Sequence, residues 1–411
     1  MLEKLQRLLY ITVRTDFHDV LLVVRFFAGF GELMLKKTML IALLTLVLCA
    51  STSLMAQDAK DAYVEPALLQ EGGWTMVVIP DPQAYTRYGR NQGIFELMTA
   101  WIAENKEKLN IQQVICVGDL VESNNLQKGD GKFANQTSRE MWTASSRAFE
   151  RLDGIYPYVN VTGNHDYGPY IYPDGNHYGT RSSLNRETQF NDYFPPERNS
   201  ALKGVLFDMF ENAYGVKTLE NAAYQFKGTD GQRIVVVALE FAPRAETLAW
   251  AKEVFERPEN VDAFGIVVTH SYMGPYTEDC RLIKSEGYGL SKEGGRPGQA
   301  IWDELVNTTA NIRMVICGHE STADNMDGCT GFRVDKNEAG RNVVQIICDM
   351  QAMGGGWEGN GGDGWLQLFE FSRDMKTVKV RTFSPLFAIS PTTREHAWYH
   401  NDKQEFEFSI E

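Results

Sequence analysis

The sequence predicts an α/β fold: two packed mixed β-sheets flanked by helices. Three observations lead there. From Trp74 onward, short apolar runs rich in β-branched residues alternate with segments of helical period. Several of those runs stop at Asp, Asn or His beside Gly, as strands do where they hand polar side chains to a loop. Beyond Gly318 the helical segments give out and the remaining runs read as antiparallel strands.

The elements follow in order. Residues 75–79 form a strand-like run closed by Pro80, and Ile94, Leu97, Met98 and Trp101 fall on one helical face. Residues 113–117 are the next strand, ending at Gly118-Asp119. Residues 137–152 read as a helix capped by Ser138, and 158–161 as a short strand before Thr162-Gly163. Residues 167–200 are a long polar loop with a short helix near 187–193, and loops of that length usually carry function. Strands are expected at 223–226 and 233–239, and a helix at 246–255 with Leu248, Ala251 and Phe255 on one face. A strand at 263–268 ends at Thr269-His270, and a polar loop spans 273–297. A helix at 299–306 and a strand at 312–317 lead to Gly318-His319. Residues 343–348, 365–371 and 377–383 complete the strands, with a glycine-rich loop at 354–364.

A hydrophobic content of 43% in 411 residues supplies a large core, and residues 74–411 are read as a single domain. The net charge of −14 argues against a nucleic-acid backbone as partner, because that binding rests on clustered Lys and Arg. Small phosphorylated partners stay open, since a bound cation reverses the field locally. Residues 34–56 read as a signal peptide: Lys36 and Lys37 precede an apolar core of about ten residues, too short to span a bilayer, and small residues follow. Residues 1–33 are then an extension upstream of a natural start at Met34, with a membrane-associated leader as the alternative. Residues 57–73 form a linker, and no transmembrane anchor is expected in the mature chain. The expected location is the periplasm or the extracellular space. Cys49 lacks the small residue before it that a lipid anchor requires. Export leaves open a disulfide between Cys280 and Cys329, both in polar loops. Cys116, Cys317 and Cys348 sit inside apolar runs and read as buried. The oligomeric state is not encoded.

Asp81-Pro82-Gln83, Gly118-Asp119, Gly163-Asn164-His165-Asp166, Thr269-His270 and Gly318-His319 all follow predicted strands. In α/β folds, sites form beyond the carboxyl ends of strands, so these loops are expected to converge. Two neighbouring cations need a bridging carboxylate with oxygen and imidazole donors on either side. A water shared by them becomes a nucleophile near neutral pH. Attack on phosphorus also needs charge stabilisation and a proton for the leaving oxygen. Any one string alone is a turn or a structural histidine. Together they hold three of the seven histidines in the chain.

On these strings the chain resembles the calcineurin-like metallophosphoesterases, over roughly residues 74–383. That family's motifs run Asp-x-His, Gly-Asp, Gly-Asn-His, a lone His after a strand, and Gly-His-x-His. The resemblance implies a four-layer sandwich and two divalent metal ions, with Mn, Fe, Zn, Mg and Ca as candidates. Asp81 and Gln83 would serve the first metal, Asp119 would bridge, and Asn164, His270 and His319 would serve the second. His165 would be the general acid or a donor to the phosphoryl group, with Asp166 orienting it. The implied activity is that of an exported hydrolase of phosphate mono- or diesters, using a hydroxide held between the metals. Two departures stand out: Gln83 replaces a His, and Ser321 stands where the last motif has its second His. The first site would then be mostly oxygen-lined and favour Mn²⁺, Mg²⁺ or Ca²⁺. Asp349 and Gln351 are candidates to compensate. The alternative is a module that keeps the fold and binds a phosphorylated or glycan ligand without turnover.

Three further features are weighed. Glu240 and Arg244 are read as an ion pair at a helix start rather than as substrate contacts. The Trp357 to Trp365 loop is either a lid or a turn. Tyr167, Tyr170, Tyr172 and Tyr178 suit the rim of a sugar or base site, and His177, His396 and His400 are read as surface residues.

Overall fold

In the computed structural model the described residues are Leu8–Arg14, Asp19–Arg25 and 63–410, apart from 130, 132–133, 169–184 and 323–324. The signal-peptide reading of 34–56, Cys49, Tyr170, Tyr172, His177 and Tyr178 all lie outside them. The chain divides into two units, Met1–Ala62 and Tyr63–Glu411. In the first, β1 (Leu8–Arg14) and β2 (Asp19–Arg25) pair antiparallel, with Leu8 opposite Arg25.

The second unit contains two mixed sheets. Six strands lie in the order β15 (Glu405–Ser409), β14 (Thr377–Phe383), β13 (Leu366–Phe371), β3 (Trp74–Ile79), β4 (Ile111–Cys116), β5 (Val159–Asn160). Seven lie in the order β11 (Thr330–Lys336), β12 (Asn342–Cys348), β10 (Ile312–Cys317), β9 (Phe264–Val268), β8 (Arg233–Ala238), β7 (Lys217–Lys227), β6 (Leu206–Glu211). The chemistry-bearing strands are parallel within their sheets: β3, β4 and β5 in one, and β8, β9, β10 and β12 in the other. Antiparallel strands close both edges of the seven-stranded sheet and the β15 edge of the six-stranded one, whose other edge is parallel β5.

Period-two alternation separates the faces of the seven-stranded sheet. Ile234, Val236, Ile266, Val268, Met314, Ile316, Val344 and Ile346 join the cluster that also holds the six-stranded sheet. Phe264 meets Phe371 across that layer, with ring centres 6.3 Å apart. Val235, Val237, Val267, Val315 and Ile347 face the other way, under Leu248, Ala251, Val254 and Phe255 of helix Ala245–Glu256. On the outer side of the six-stranded sheet, helices α1 (Gln83–Thr86), α2 (Gln92–Glu104) and α3 (Ser138–Glu150) contribute Tyr85, Phe95, Met98, Ile102, Met141, Trp142 and Phe149 to the core. Helices thus flank two facing sheets, the architecture that the sequence predicts.

Several details differ. The cap of α3 is Thr137, in a reciprocal box with Glu140, not Ser138, whose hydroxyl instead donates to Asn124 O. Strands β6, β11 and β15 were not foreseen; all three carry charged residues in mid-strand, which breaks an apolar run. Residues 63–73, read as the end of a linker, lie against β13 and β14: Leu69 N and Gln70 N donate to Glu370 Oε1 at 2.7 and 2.8 Å. The described cysteines, Cys280 and Cys329 included, are buried and form no disulfide. Those two loops fold inward, and Cys329 Sγ lies 3.5 Å from Ser321 Oγ rather than against Cys280.

Candidate metal centre

The parallel strands of both sheets end along one seam. His270, just after β9, reaches across it: Nδ1 lies 2.8 Å from Val117 O at the end of β4. With its Nδ1–H donated to that carbonyl, Nε2 is left as a donor for a cation. His319, after β10, makes the reverse tie, its backbone N–H donating to Asp81 Oδ2 after β3 at 2.9 Å.

These ties bring three donors together. His270 Nε2 lies 3.2 Å from Asp119 Oδ2 and 3.2 Å from His319 Nδ1. The donor atoms of Asp119, His270 and His319 all fall within 4.8 Å of one another. Asn164 Oδ1 joins them, 3.1 Å from His270 Nε2. Asp119 and His319 take positive φ values of 50° and 82°, which non-glycine residues adopt at a cost near functional sites. Gly118, at φ 109°, packs so closely that a Cβ would stand 2.6 Å from His270 Nδ1. At Gly318 a Cβ would come 2.0 Å from Asp81 Oδ1.

Asp81 and Gln83, expected to serve a first metal, lie alongside. Gln83 Nε2 donates to Asp119 Oδ2 at 3.0 Å. Asp81 Oδ1 and Gln83 Oε1 are buried with no hydrogen-bond partner, an expensive state for polar oxygens. Ser321 is turned toward Cys329.

His165 lies over the Asp119 carboxylate. Its backbone N–H donates to Asp119 Oδ1 at 2.9 Å, and Nε2 lies 3.9 Å from Asp119 Oδ2. Nδ1 is held by Glu122 O at 2.7 Å. The expectation that Asp166 orients His165 is therefore corrected. Asp166 accepts the backbone N–H groups of Gly163, Leu120 and Val121 at 2.8, 3.2 and 3.1 Å, so it fixes the two loops to each other. All three of those bonds are to main-chain N–H groups, and the hydrogen bond of the His165 ring goes to a main-chain carbonyl, Glu122 O.

Electrostatics match a site that awaits a cation. Burial disfavours charge on Asp119, but His270 and His165 outweigh it and hold the carboxyl well below its usual range. Burial likewise opposes charge on His270, yet Asp119 and Asp81 push it up to about 10. Burial and the charge on His270 push His319 down to about 4. Burial and then Asp349 raise Asp81 well above its ordinary value. A proton on His270 thus stands where a divalent cation would neutralise the same carboxylate, and cation binding would release it. The donor set fits such an ion, and among the described residues no Lys or Arg ion-pairs with Asp81 or Asp119.

Sequence reasoning missed three neighbours. Glu286, in the 273–297 loop, places Oε1 3.8 Å from His319 Nε2 and accepts hydrogen bonds from Ser271 and Ser291. Phe241 and Tyr288 pack their rings on the imidazoles: Phe241 lies 5.9 and 6.0 Å from His270 and His319, and Tyr288 lies 5.4 Å from His319. No motif announces them; only their position after β8 and in a long loop was visible. Glu240 pairs with Arg244 at 2.8 Å and Arg186 at 3.2 Å, the helix-start pair expected. Tyr167 is buried, its hydroxyl donating to Glu220 at 2.6 Å, so it is no rim residue. The 354–364 loop is anchored rather than free: Gly364 N donates to Tyr85 Oη at 2.9 Å and Asn91 Nδ2 to Gly359 O at 3.0 Å. His396 and His400 are exposed.

The family model for calcineurin-like phosphoesterase matches residues 75–322, more than half of the chain. The chain belongs to the calcineurin-like phosphoesterase family. A relative described as "Uncharacterized protein YvnB" from Bacillus subtilis (strain 168) is 26% identical over 348 residues, covering 82% of this chain. The chain spans 22% of that relative's length. Among solved structures, "GAP50 the anchor in the inner membrane complex of Plasmodium" aligns with 77% of this chain and 85% of its own, at 14% identity and a TM-score of 0.39.

Proposed function

We propose that the protein hydrolyses phosphate mono- or diesters of small molecules, with two divalent cations held by Asp81, Gln83, Asp119, Asn164, His270 and His319. The observation that carries this reading is the convergence of Asp119, His270 and His319 from three loops, with His165 Nε2 facing the same carboxylate at 3.9 Å. When bound, the cations supply an activated water and positive charge for the phosphoryl oxygens. The chain's own residues do the rest. His165, with Nδ1–H fixed on Glu122 O, presents Nε2 to the reacting group and passes a proton to the leaving oxygen. Burial lowers its pKa, but Asp119 and Glu122 more than reverse this, so the imidazolium persists above its ordinary 6.5. Phe241 and Tyr288 wall off the imidazoles from water on one side.

The reading is tested with purified protein, Mn²⁺ and an aryl phosphate monoester and diester. Turnover of either, lost in His165→Ala, is the expected result. No turnover with any divalent ion would favour a binding module, a reading to which Gln83 and Ser321, turned toward Cys329, lend support. We place the activity outside the cytoplasm on the signal-like pattern of residues 34–56. N-terminal sequencing of protein recovered from the expressing cells should then begin near Gln57.

A further inference from the structure

We propose that Asp349 is a ligand of the cation served by Asp81 and Gln83, taking the place of the imidazole missing at Ser321, and that this site is lined by oxygen alone and takes a hard divalent cation such as Mn²⁺, Mg²⁺ or Ca²⁺. The inference rests on the two-cation reading above and names what completes its weaker half.

Sheet register brings Asp349 to the seam. Parallel β10 and β12 are paired with Cys317 opposite Ile347. His319 and Asp349 each lie two residues beyond that pair, just past the ends of their strands, and His319 N is already bonded to Asp81. Asp349 is 0% exposed. Its two oxygens accept from Gln351 N at 3.1 Å and Gln351 Nε2 at 2.8 Å. Each carboxylate oxygen has a second lone pair, so both retain acceptor capacity. No Lys or Arg pairs with Asp349 among the described residues.

A second observation points to a ligand. Asp81 Oδ1, Gln83 Oε1 and Gln351 Oε1 are buried oxygens without hydrogen-bond partners, on residues 1%, 0% and 4% exposed. A protein interior rarely leaves such acceptors unmatched. Two buried carboxylates, Asp81 and Asp349, lie close enough beside them to repel each other. A cation relieves both conditions at once. Asp81, Gln83, Asp349 and the shared Asp119 then give it four oxygen-bearing side chains, and Gln351 positions Asp349 through its amide. Oxygen donors select hard ions, whereas the imidazoles of His270 and His319 suit borderline ones.

The test counts ions rather than turnover. Metal-stripped full-length chain is equilibrated with Mn²⁺ and analysed for bound metal, beside Asp349→Asn and His319→Ala. The expected result is two Mn²⁺ in the wild type and one in D349N with its melting transition kept, the lost ion binding at least tenfold more weakly. A folded D349N that holds two ions at wild-type affinity, or none, overturns the assignment. A wild-type arm stands even where D349N does not fold: excess Ca²⁺ should displace one Mn²⁺ of the two, and displacement of neither or both overturns the hard site. Wild type that binds a single ion, removed in H319A, refutes this inference and the two-cation form of the reading above, while phosphoester hydrolysis is still decided by the separate turnover assay. Wild type that binds no divalent ion refutes both.

Discussion

Adjacent residues of one motif do different work here. His165 and Asp166 are neighbours in sequence, yet the histidine faces the metal centre and the aspartate faces backward into three backbone N–H groups. Substitution should separate these roles. His165→Ala is expected to lower kcat by roughly 10²–10⁴, the usual worth of a positioned acid, with the number of bound cations unchanged. Asp166→Ala strands three buried donors, each costing about 1–3 kcal/mol, so denaturant unfolding should show a loss of several kcal/mol. A D166A protein as stable as wild type would contradict the brace. Asp119, Asn164, His270 and His319, which the fold brings together, were legible because His, Asp and Asn announce their chemistry by type. It could not show that Glu122 contributes its carbonyl, since a main-chain acceptor is independent of residue identity. Glu286 was illegible for another reason: a single Glu in a charged loop looks like solvated surface until burial is known.

Strands and their glycines set the geometry. The glycines before Asp119 and His319 are fixed by close approach, one by positive φ against His270 and one by contact with Asp81. Gly118→Ala adds both strain and a methyl 2.6 Å from the His270 ring, and it should weaken cation binding at least tenfold while leaving far-ultraviolet circular dichroism near wild type. Unchanged affinity in G118A would mean that the seam is softer than its packing indicates. A control lies on α3, where Thr137→Ala removes an exposed capping box and should cost about 1 kcal/mol with no effect on bound metal. Parallel strands were readable because both faces are covered, which makes them continuous apolar runs. Edge strands β6, β11 and β15 were not, because edges carry charge in mid-strand: Asp208, Arg333 and Glu407 interrupt the pattern that marks β9 or β10. The cap was in reach, since Thr137 and Glu140 have the spacing of a capping box.

For the whole molecule, two sheets converge on a seam of buried carboxylates that the fold alone does not neutralise. Without a cation the balance falls to protons. His270 is raised from 6.5 to about 10, chiefly against burial by Asp119 and Asp81. A group with a raised folded pKa contributes stability fully below its unfolded value and loses it as pH climbs through the folded one. The metal-free protein should therefore lose stability between pH 6.5 and about 10, as the imidazolium gives up its proton beside ionised Asp119. Asp349, raised to about 7 chiefly by burial, acts in the same direction at lower pH, from 3.8 upward. A cation held by His270 and Asp119 would take the place of that proton and reduce this dependence. Thermal melts in chelator should then show Tm falling across the alkaline window, with the fall reduced at saturating Mn²⁺. His270→Asn lacks the titrating group, so the wild-type and variant curves in chelator should converge as pH passes about 10. Parallel curves across that window would mean that the His270–Asp119 contact at 3.2 Å does not hold the seam together in the absence of metal.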